Sequence, residues 1–256
     1  LPSFKEVILR VGETYGEQRE EIIKQSSIIS KSLELKKSSV LNQDLENILQ
    51  SIITNLDKEK GGYKGAPKFP IFNIYDTLLY FFTKTKNSNY LKSVELILKQ
   101  LCSQGIYDHV EGGISRYTVD ENWLIPHFEK MLYDNAQFVL LISKFLKINE
   151  NEYFKKKMIQ TIEFMNTNFL NSGSNLLGSA YDADSEGEEG KYYIFNYKEL
   201  KGIKNIEQYF DINPDGNWEN KIILREIKPP PESIVIKLKD LRKKKNRPFF
   251  DNKIQL

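Results

Sequence analysis

The two histidines of the chain, His109 and His127, lie within one short window and are the first candidates for chemistry. Imidazoles exchange protons near neutral pH, so a pair of them suits acid–base catalysis. Pro126 favours the start of a helix, and on such a helix His127, Lys130 and Asp134 would share one face, with Glu129 on another side. A polar face among many aromatic side chains suits a cleft for a carbohydrate or another polar small molecule.

A structural role is open for both histidines. His127 at a helix start is also typical of a capping or core residue, and His109 of a loop hydrogen bond. Asp108 beside His109 could orient its ring. The two histidines do not have the spacing of metal ligands, and no third ligand is evident, so we predict no metal site.

A second candidate is the acidic segment 181–190, which contains Asp182, Asp184 and Glu186. Its spacing resembles a calcium loop, but Tyr193 stands where the loop would need its twelfth-position glutamate. The segment is therefore either a solvated turn, part of a carboxylate pair for acid–base work, or a clamp on substrate hydroxyls.

The amino-acid composition argues against nucleic-acid-binding, membrane-spanning and disulfide-linked classes of protein. The 256 residues are 40% hydrophobic and 28% charged with a net charge of +2, as in ordinary globular proteins. Only six of the 37 basic residues are arginine, and the sequence contains no motif of a known nucleic-acid-binding domain. We therefore expect no nucleic-acid partner. No apolar run approaches a membrane span. One cysteine, Cys102, excludes an internal disulfide; we expect a cytoplasmic protein without a cofactor.

Apolar periodicity predicts an all-α fold. Ser3 and Glu6 have the spacing of a capping box at the first helix. A strand-like run covers 191–195, within a β-hairpin or long loop at 176–195, and Arg242–Lys245 is interpreted as a solvated helix end. Glycine loops between helix pairs are typical of an α-solenoid or a closed α/α toroid. The helices are predicted at about 3–35, 41–56, 71–85, 90–103, 126–147, 152–170, 197–202 and 232–245.

Long, unusual motifs add a resemblance to a known family. They are Gly61–Pro70, Gly105–His109, Gly112-Gly113 with Arg116-Tyr117 and Asp120, Trp123–Ala136, Asp182–Lys191, and Gly216–Glu219 with Ile223-Leu224. In these motifs the chain resembles the thioredoxin-domain-containing (DUF255, or spermatogenesis-associated protein 20-like) family over nearly its whole length. Glu111 and Ser115 depart from the family pattern, which puts individual substrate contacts in doubt.

The resemblance implies a partial (α/α)6 toroid of helical hairpins, with Gly-rich rim loops and a small β-hairpin. Such toroids are similar to N-acylglucosamine 2-epimerase, cellobiose 2-epimerase and six-hairpin glycosidases. Residues 1–38 would be a linker helix that follows a thioredoxin-like domain, and 39–256 the first half of the toroid. Because the chain starts at Leu1 and has no Cys-x-x-Cys, we expect a fragment that lacks both that domain and the second half of the ring.

Three functions remain open. The first is a carbohydrate-active toroid with epimerase-like or isomerase-like proton transfer. In that hypothesis His127, His109 and Glu129 are catalytic, and substrate is bound by Arg116, Tyr117, Trp123, Asp134, Asp182, Asp184 and Glu186. The second is glycoside hydrolysis by a carboxylate pair such as Glu129 with Asp184. The third is a non-catalytic binding or scaffold module that works with a thioredoxin-like domain.

Overall fold

The computed structural model describes residues 2–33, 45–170 and 176–251. The chain divides into two compact units, 1–45 and 46–256. The first contains α1 (Phe4–Glu17) and α2 (Arg19–Leu33). The predicted capping box is confirmed: Ser3 Oγ accepts from the backbone N–H of Glu6, and the Glu6 carboxylate accepts from the backbone N–H of Ser3. The predicted boundary at 38/39 lies outside the described residues, as do 41–44 of the second predicted helix.

The second unit is built mainly from helices that pack in successive pairs. Helix α4 packs on α5 and α6 packs on α7, and their apolar faces meet in one core around Leu78, Ile97 and Phe138. The predicted all-α class with a small β-hairpin is confirmed, while the assignment of 39–256 to the first half of an (α/α)6 toroid stays a prediction. The helices of this unit are α3 (Leu45–Asn55), α4 (Phe72–Thr85), α5 (Ser88–Ser103), α6 (Leu132–Leu146), α7 (Glu152–Phe164), α8 (Tyr197–Leu200) and α9 (Glu232–Arg242), with a π-helical turn at Met165–Phe169.

Short strands join the loops beside these helices. In antiparallel pairs, β1 (Tyr117–Thr118) lies on β2 (Pro126–His127), and β5 (Asp184–Ser185) on β6 (Glu188–Glu189). A third sheet has the order β3 (Lys130–Met131), β4 (Ala180–Tyr181) and β7 (Phe250–Asp251). In the part of the chain that the structure describes, no helix is long and apolar enough to cross a membrane.

Two predicted elements are wrong. The helix expected from Pro126 begins only at Leu132, because residues 126–131 are extended and pair with β1 and β4. The strand expected at 191–195 is a turn, of which only Phe195 forms a bridge, to Ile222. In both places pairing with segments distant in sequence decides the local structure.

Candidate functional site

The extended segment 126–131 presents alternate residues to opposite sides. Pro126, Phe128 and Lys130 are buried, whereas His127 and Glu129 are partly exposed. Side chains two positions apart in an extended chain point the same way. His127 and Glu129 therefore share one accessible face, in contrast to the helical arrangement expected from the sequence.

His127 stands at the end of an aromatic stack on this face. Its ring stacks on Tyr117 with 5.1 Å between centroids, and Tyr117 stacks on Phe69 at 4.6 Å. The imidazole Nδ1 lies 2.8 Å from the Glu189 carboxylate. The structure thus joins His127 to the acidic segment 181–190, although the residue that makes the contact, Glu189, was not among the predicted site residues.

Arg116, Glu129 and Asp134 form the second half of the face. Arg116 Nη1 donates to Glu129 Oε2 at 3.2 Å, and the Arg116 backbone N–H donates to the Glu129 carbonyl. Asp134 is the third residue of α6 and is 8% exposed. Burial raises the pKa of Asp134 to about 7 in spite of Arg116. Its Oδ2 has no hydrogen-bond partner among the described residues, so this carboxyl can hold a proton at neutral pH.

Asn135 fixes the start of α6 against the glycine loop before β1. Its side chain accepts from the Ile114 backbone N–H at 2.8 Å and donates to the carbonyls of Ile114 and Met131. A Cβ on Gly113 (φ 81°) would lie 2.8 Å from the Asn135 amide oxygen. The glycine loop named by the sequence therefore positions the helix that carries Asp134.

His109 lies in a different, buried set of groups. Its Nε2 is 3.0 Å from the Gln104 carbonyl oxygen, and its Nδ1 is 3.2 Å from Lys157 Nζ and 3.4 Å from the Glu226 carboxylate. Burial and the Lys157 ammonium lower the pKa of His109. It is a neutral imidazole with both nitrogens engaged, which corresponds to the structural alternative rather than to a partner that faces His127.

A buried ion cluster beside it was missed by the sequence analysis. Asp108 accepts from Lys130 Nζ at 2.8 Å and from Arg242 Nη1 at 2.5 Å and 2.6 Å. The two cations hold the pKa of Asp108 far below its usual range. Arg242 is 2% exposed, so the interpretation of the basic run 242–245 as a solvated helix end is wrong for this residue. The cavity at the cluster has about 20 Å³, room for about one water.

Other predicted site residues are placed differently. Trp123 is fully buried and donates from Nε1 to the Lys60 carbonyl, so it packs in the core and offers no ring face to a sugar. Asp182 accepts from the Asp184 backbone N–H, and Glu186 pairs with Lys191 at 3.3 Å. Among the described side chains, Asp182, Asp184 and Glu186 form no hydrogen bond or ion pair with His127 or Glu129.

Metal and thiol chemistry find no support in the residues described. No group of three His, Cys, Asp or Glu side chains there could hold a metal ion. Cys102 is fully buried in the core, and burial raises the pKa of its thiol to about 12.

Comparison with known proteins shows to which of them this chain is related. No family model matches the chain. Over 220 residues it is 29% identical to spermatogenesis-associated protein 20 of Homo sapiens, in a match that covers 78% of this chain and 28% of that protein. This chain is a homologue of spermatogenesis-associated protein 20. The resemblance indicated by the motifs is thereby confirmed.

The homology extends to an invertebrate protein. An uncharacterized protein of Caenorhabditis elegans is 28% identical over 249 residues, which cover 84% of this chain and 34% of that protein. The chain thus spans about a third or less of the length of the curated relatives it matches.

Solved structures show partial similarity of fold. Cellobiose 2-epimerase from Bacillus thermoamylovorans has a TM-score of 0.46 and 16% identity, covering 54% of this chain and 42% of that one. A family 76 glycoside hydrolase (mannosidase) from Bacteroides thetaiotaomicron has a TM-score of 0.37 and 14% identity, over 43% and 28%. Similarity of this extent leaves the function to be argued from the site itself.

Proposed function

We propose that the face formed by Arg116, Tyr117, His127, Glu129 and Asp134 binds a carbohydrate and that His127 transfers a proton on it, as in a sugar epimerase or isomerase. The observation that carries the proposal is the partly exposed His127 held at 2.8 Å by Glu189. An accessible imidazole oriented by a carboxylate is the usual arrangement of a general base.

The contact between His127 and Glu189 determines which imidazole nitrogen can accept the substrate proton. When Nδ1–H donates to Glu189, the lone pair of the neutral ring lies on Nε2. Nε2 then takes the proton from the carbon beside a sugar carbonyl, and Glu189 stabilises the imidazolium that forms. The electron pair of the broken C–H bond passes to the carbonyl oxygen, which gives an enediolate. Return of a proton to the opposite face of the same carbon completes an epimerisation, whereas return to the former carbonyl carbon, with loss of a hydroxyl proton, completes an isomerisation.

The remaining groups bind and complete the site. The exposed end of Arg116 donates hydrogen bonds to sugar hydroxyl oxygens. The carboxylate of Glu129 accepts hydrogen bonds from sugar hydroxyl groups. Tyr117 has its faces covered by Phe69 and His127, so it offers its edge and hydroxyl. Since His109 is buried in its own network, Asp134 replaces it in the proposal as the second group able to hold a proton at neutral pH.

Deuterium exchange tests the proposal. The full chain is incubated in D2O with a panel of aldoses, ketoses and disaccharides, and proton NMR follows the carbon beside the carbonyl. We expect exchange that His127→Gln abolishes and Glu189→Gln slows by about 10- to 100-fold. Glu188→Gln changes the adjacent strand residue, whose side chain points to the other side, and leaves exchange unchanged.

Deuterium exchange, together with sugar binding and cleavage measured on the same panel, distinguishes an epimerase or isomerase from a non-catalytic binding module. Exchange that persists in His127→Gln removes His127 from the mechanism. Saturable sugar binding without exchange or cleavage indicates the non-catalytic binding module. A folded protein that neither binds nor exchanges any sugar of the panel rejects the carbohydrate function for this chain.

Glycoside hydrolysis is a second candidate, favoured by the carboxyls of Glu129 and Asp134. Burial raises the pKa of Asp134, which suits the general acid of a glycosidase, and the neighbouring Glu129 carboxylate, paired with Arg116, would be the second carboxyl group. This replaces the predicted Glu129–Asp184 pair. Release of nitrophenol from nitrophenyl glycosides, lost in both Asp134→Asn and Glu129→Gln, would support it; retention in either variant counts against it.

A further inference from the structure

A separate cleft lies where the β5–β6 hairpin, the start of α8 and the end of α9 meet. Its volume is about 330 Å³, within the range of small-molecule sites. Glu188 lines this cleft, whereas its neighbour Glu189 contacts His127, so the two residues serve different sites. Most of the lining residues are polar or charged, and Ile194 and Phe195 supply an apolar part.

Three lysines from two segments of the chain line the cleft. Lys221 follows the turn near Trp218, while Lys244 and Lys245 follow α9. Among the described side chains no carboxylate lies within ion-pair distance of these three. Lys191, by contrast, is neutralised by Glu186 at 3.3 Å and Glu188 at 3.6 Å.

Lys245, one of these three lysines, is partly buried. Its ammonium donates to the Ile194 carbonyl and lies 4.4 Å from the Phe195 ring centroid. Burial, with the nearby charges of Arg242 and Lys221, lowers the pKa of Lys245 to about 8. The nearby Glu199 carboxylate opposes this only in part, and it accepts the Asn196 backbone N–H at 2.6 Å.

We propose that this cleft binds the phosphate group of a small phosphate monoester, held by Lys221, Lys244 and Lys245. Such a group carries nearly two negative charges and three acceptor oxygens, which matches three lysine donors without their own carboxylates. The volume left beside the lysines accommodates a small organic part, next to the side chains of Asn196 and Asn246.

Chemical protection tests the proposal on the unmodified protein. Trace acetylation with acetic anhydride at pH 8 is followed by mass spectrometry at Lys245 and at Lys237, an exposed lysine of α9 outside the cleft. Glycerol 3-phosphate is the probe, and glycerol in sodium chloride of equal ionic strength is the control. We expect the probe to slow acetylation of Lys245 at least severalfold and to leave Lys237 unchanged.

Calorimetry with matched variants gives the second arm. We expect saturable binding of glycerol 3-phosphate that Lys245→Gln weakens by about tenfold, the loss of one charge-assisted contact. Lys237→Gln removes the same charge from α9, the helix that precedes Lys245, and leaves affinity unchanged. Equal weakening by both variants, equal protection of both lysines, or no saturable binding by the folded wild type overturns the proposal.

Discussion

Asp134 lies in surroundings very different from those of a carboxylic acid in water. It is buried at the start of α6, its Oδ2 has no described partner, and its pKa is raised to about 7. Between its ordinary value of 3.8 and about pH 7 the folded protein holds a proton that the unfolded chain has released. This group therefore stabilises the fold most at low pH, and its contribution is lost as the pH rises to 7.

Replacement of Asp134 by asparagine should reveal this dependence. Asp134→Asn cannot ionise, so its free energy of unfolding relative to wild type should rise from pH 4 to pH 8, by about 1–2 kcal/mol after allowance for solvent screening. Urea denaturation at several pH values measures the difference. A constant difference between Asp134→Asn and wild type across this pH range would contradict the raised pKa.

Asp108 holds two buried cations in place. Asp108→Asn leaves Lys130 and Arg242 without a carboxylate in a buried site, so we expect a loss of about 3–5 kcal/mol in the free energy of unfolding, measured by urea denaturation. Asp240→Asn breaks an exposed pair with Lys243 on α9 and should cost less than about 1 kcal/mol. Similar losses in the two variants would mean that the buried cluster contributes no more than a surface ion pair.

This cluster also shows the limit of sequence analysis at the residue scale. The motifs singled out Asp108 and Lys130, but Asp108 was considered only as a partner of His109. Its partner Arg242 is 134 residues away, in a run that reads as an exposed helix end. No local pattern distinguishes an arginine that folds back into the interior from the solvated lysines beside it.

At the scale of elements, helices were predicted well and strands poorly. Apolar periodicity and capping residues are local, so α4 and α5 were predicted to within a few residues of their observed bounds. The extended segment before α6 was predicted as helix because Pro126 and the following apolar spacing are also typical of a helix start. Its pairing with β1 and β4 depends on residues about 10 and 50 positions away, which a local pattern does not contain.

The β5–β6 hairpin offers a matched test of how it is seated beside His127. Gly187 and Gly190 have nearly the same backbone angle, with φ of 76° and 72°. A Cβ on Gly187 would meet open space, whereas one on Gly190 would lie 2.4 Å from the Phe128 ring. Gly187→Ala should cost about 1 kcal/mol for the left-handed backbone alone, and Gly190→Ala about 1–3 kcal/mol more from the clash.

Thermal or urea unfolding of the two alanine variants measures that difference. Because the β5–β6 hairpin carries Glu189, Gly190→Ala should also weaken the contact between Glu189 and His127, seen as a shifted His127 imidazole resonance. Equal stability of the two variants would show that Phe128 moves aside at no cost and that the hairpin is loosely seated.

At the scale of the second unit, buried ion pairs join segments far apart in sequence. Glu226 pairs with Lys157 of α7 and approaches His109, while Arg242 of α9 reaches Asp108. A more local pair, 11 residues apart, joins Asp57 to the buried Lys68 at 2.9 Å. The histidine motif, the helical pairs and the C-terminal helix are thus connected by charges that must stay ionised for the unit to keep its arrangement.

These pairs predict how the protein responds to acid. Contact with the Lys157 ammonium lowers the pKa of Glu226 in spite of its burial, and backbone donors with Lys68 lower that of Asp57 to about 2. A carboxylate with a lowered pKa stabilises the fold above its unfolded value, near 4 to 4.5, and this contribution is lost as the pH falls toward 2. Wild type should therefore lose stability steeply between pH 4.5 and 2.

The substitution Glu226→Gln tests how much the protonation of Glu226 contributes to unfolding in acid. The variant should be less stable than wild type at pH 6, because Lys157 loses its charged partner. Its stability should fall less steeply in acid, by up to about 1.4 kcal/mol per pH unit, the slope that one proton contributes. Urea denaturation from pH 2.5 to 6 gives both slopes. Since Asp57 still titrates in the variant, a residual slope is expected; parallel curves for the two proteins would show that Glu226 does not control the acid transition.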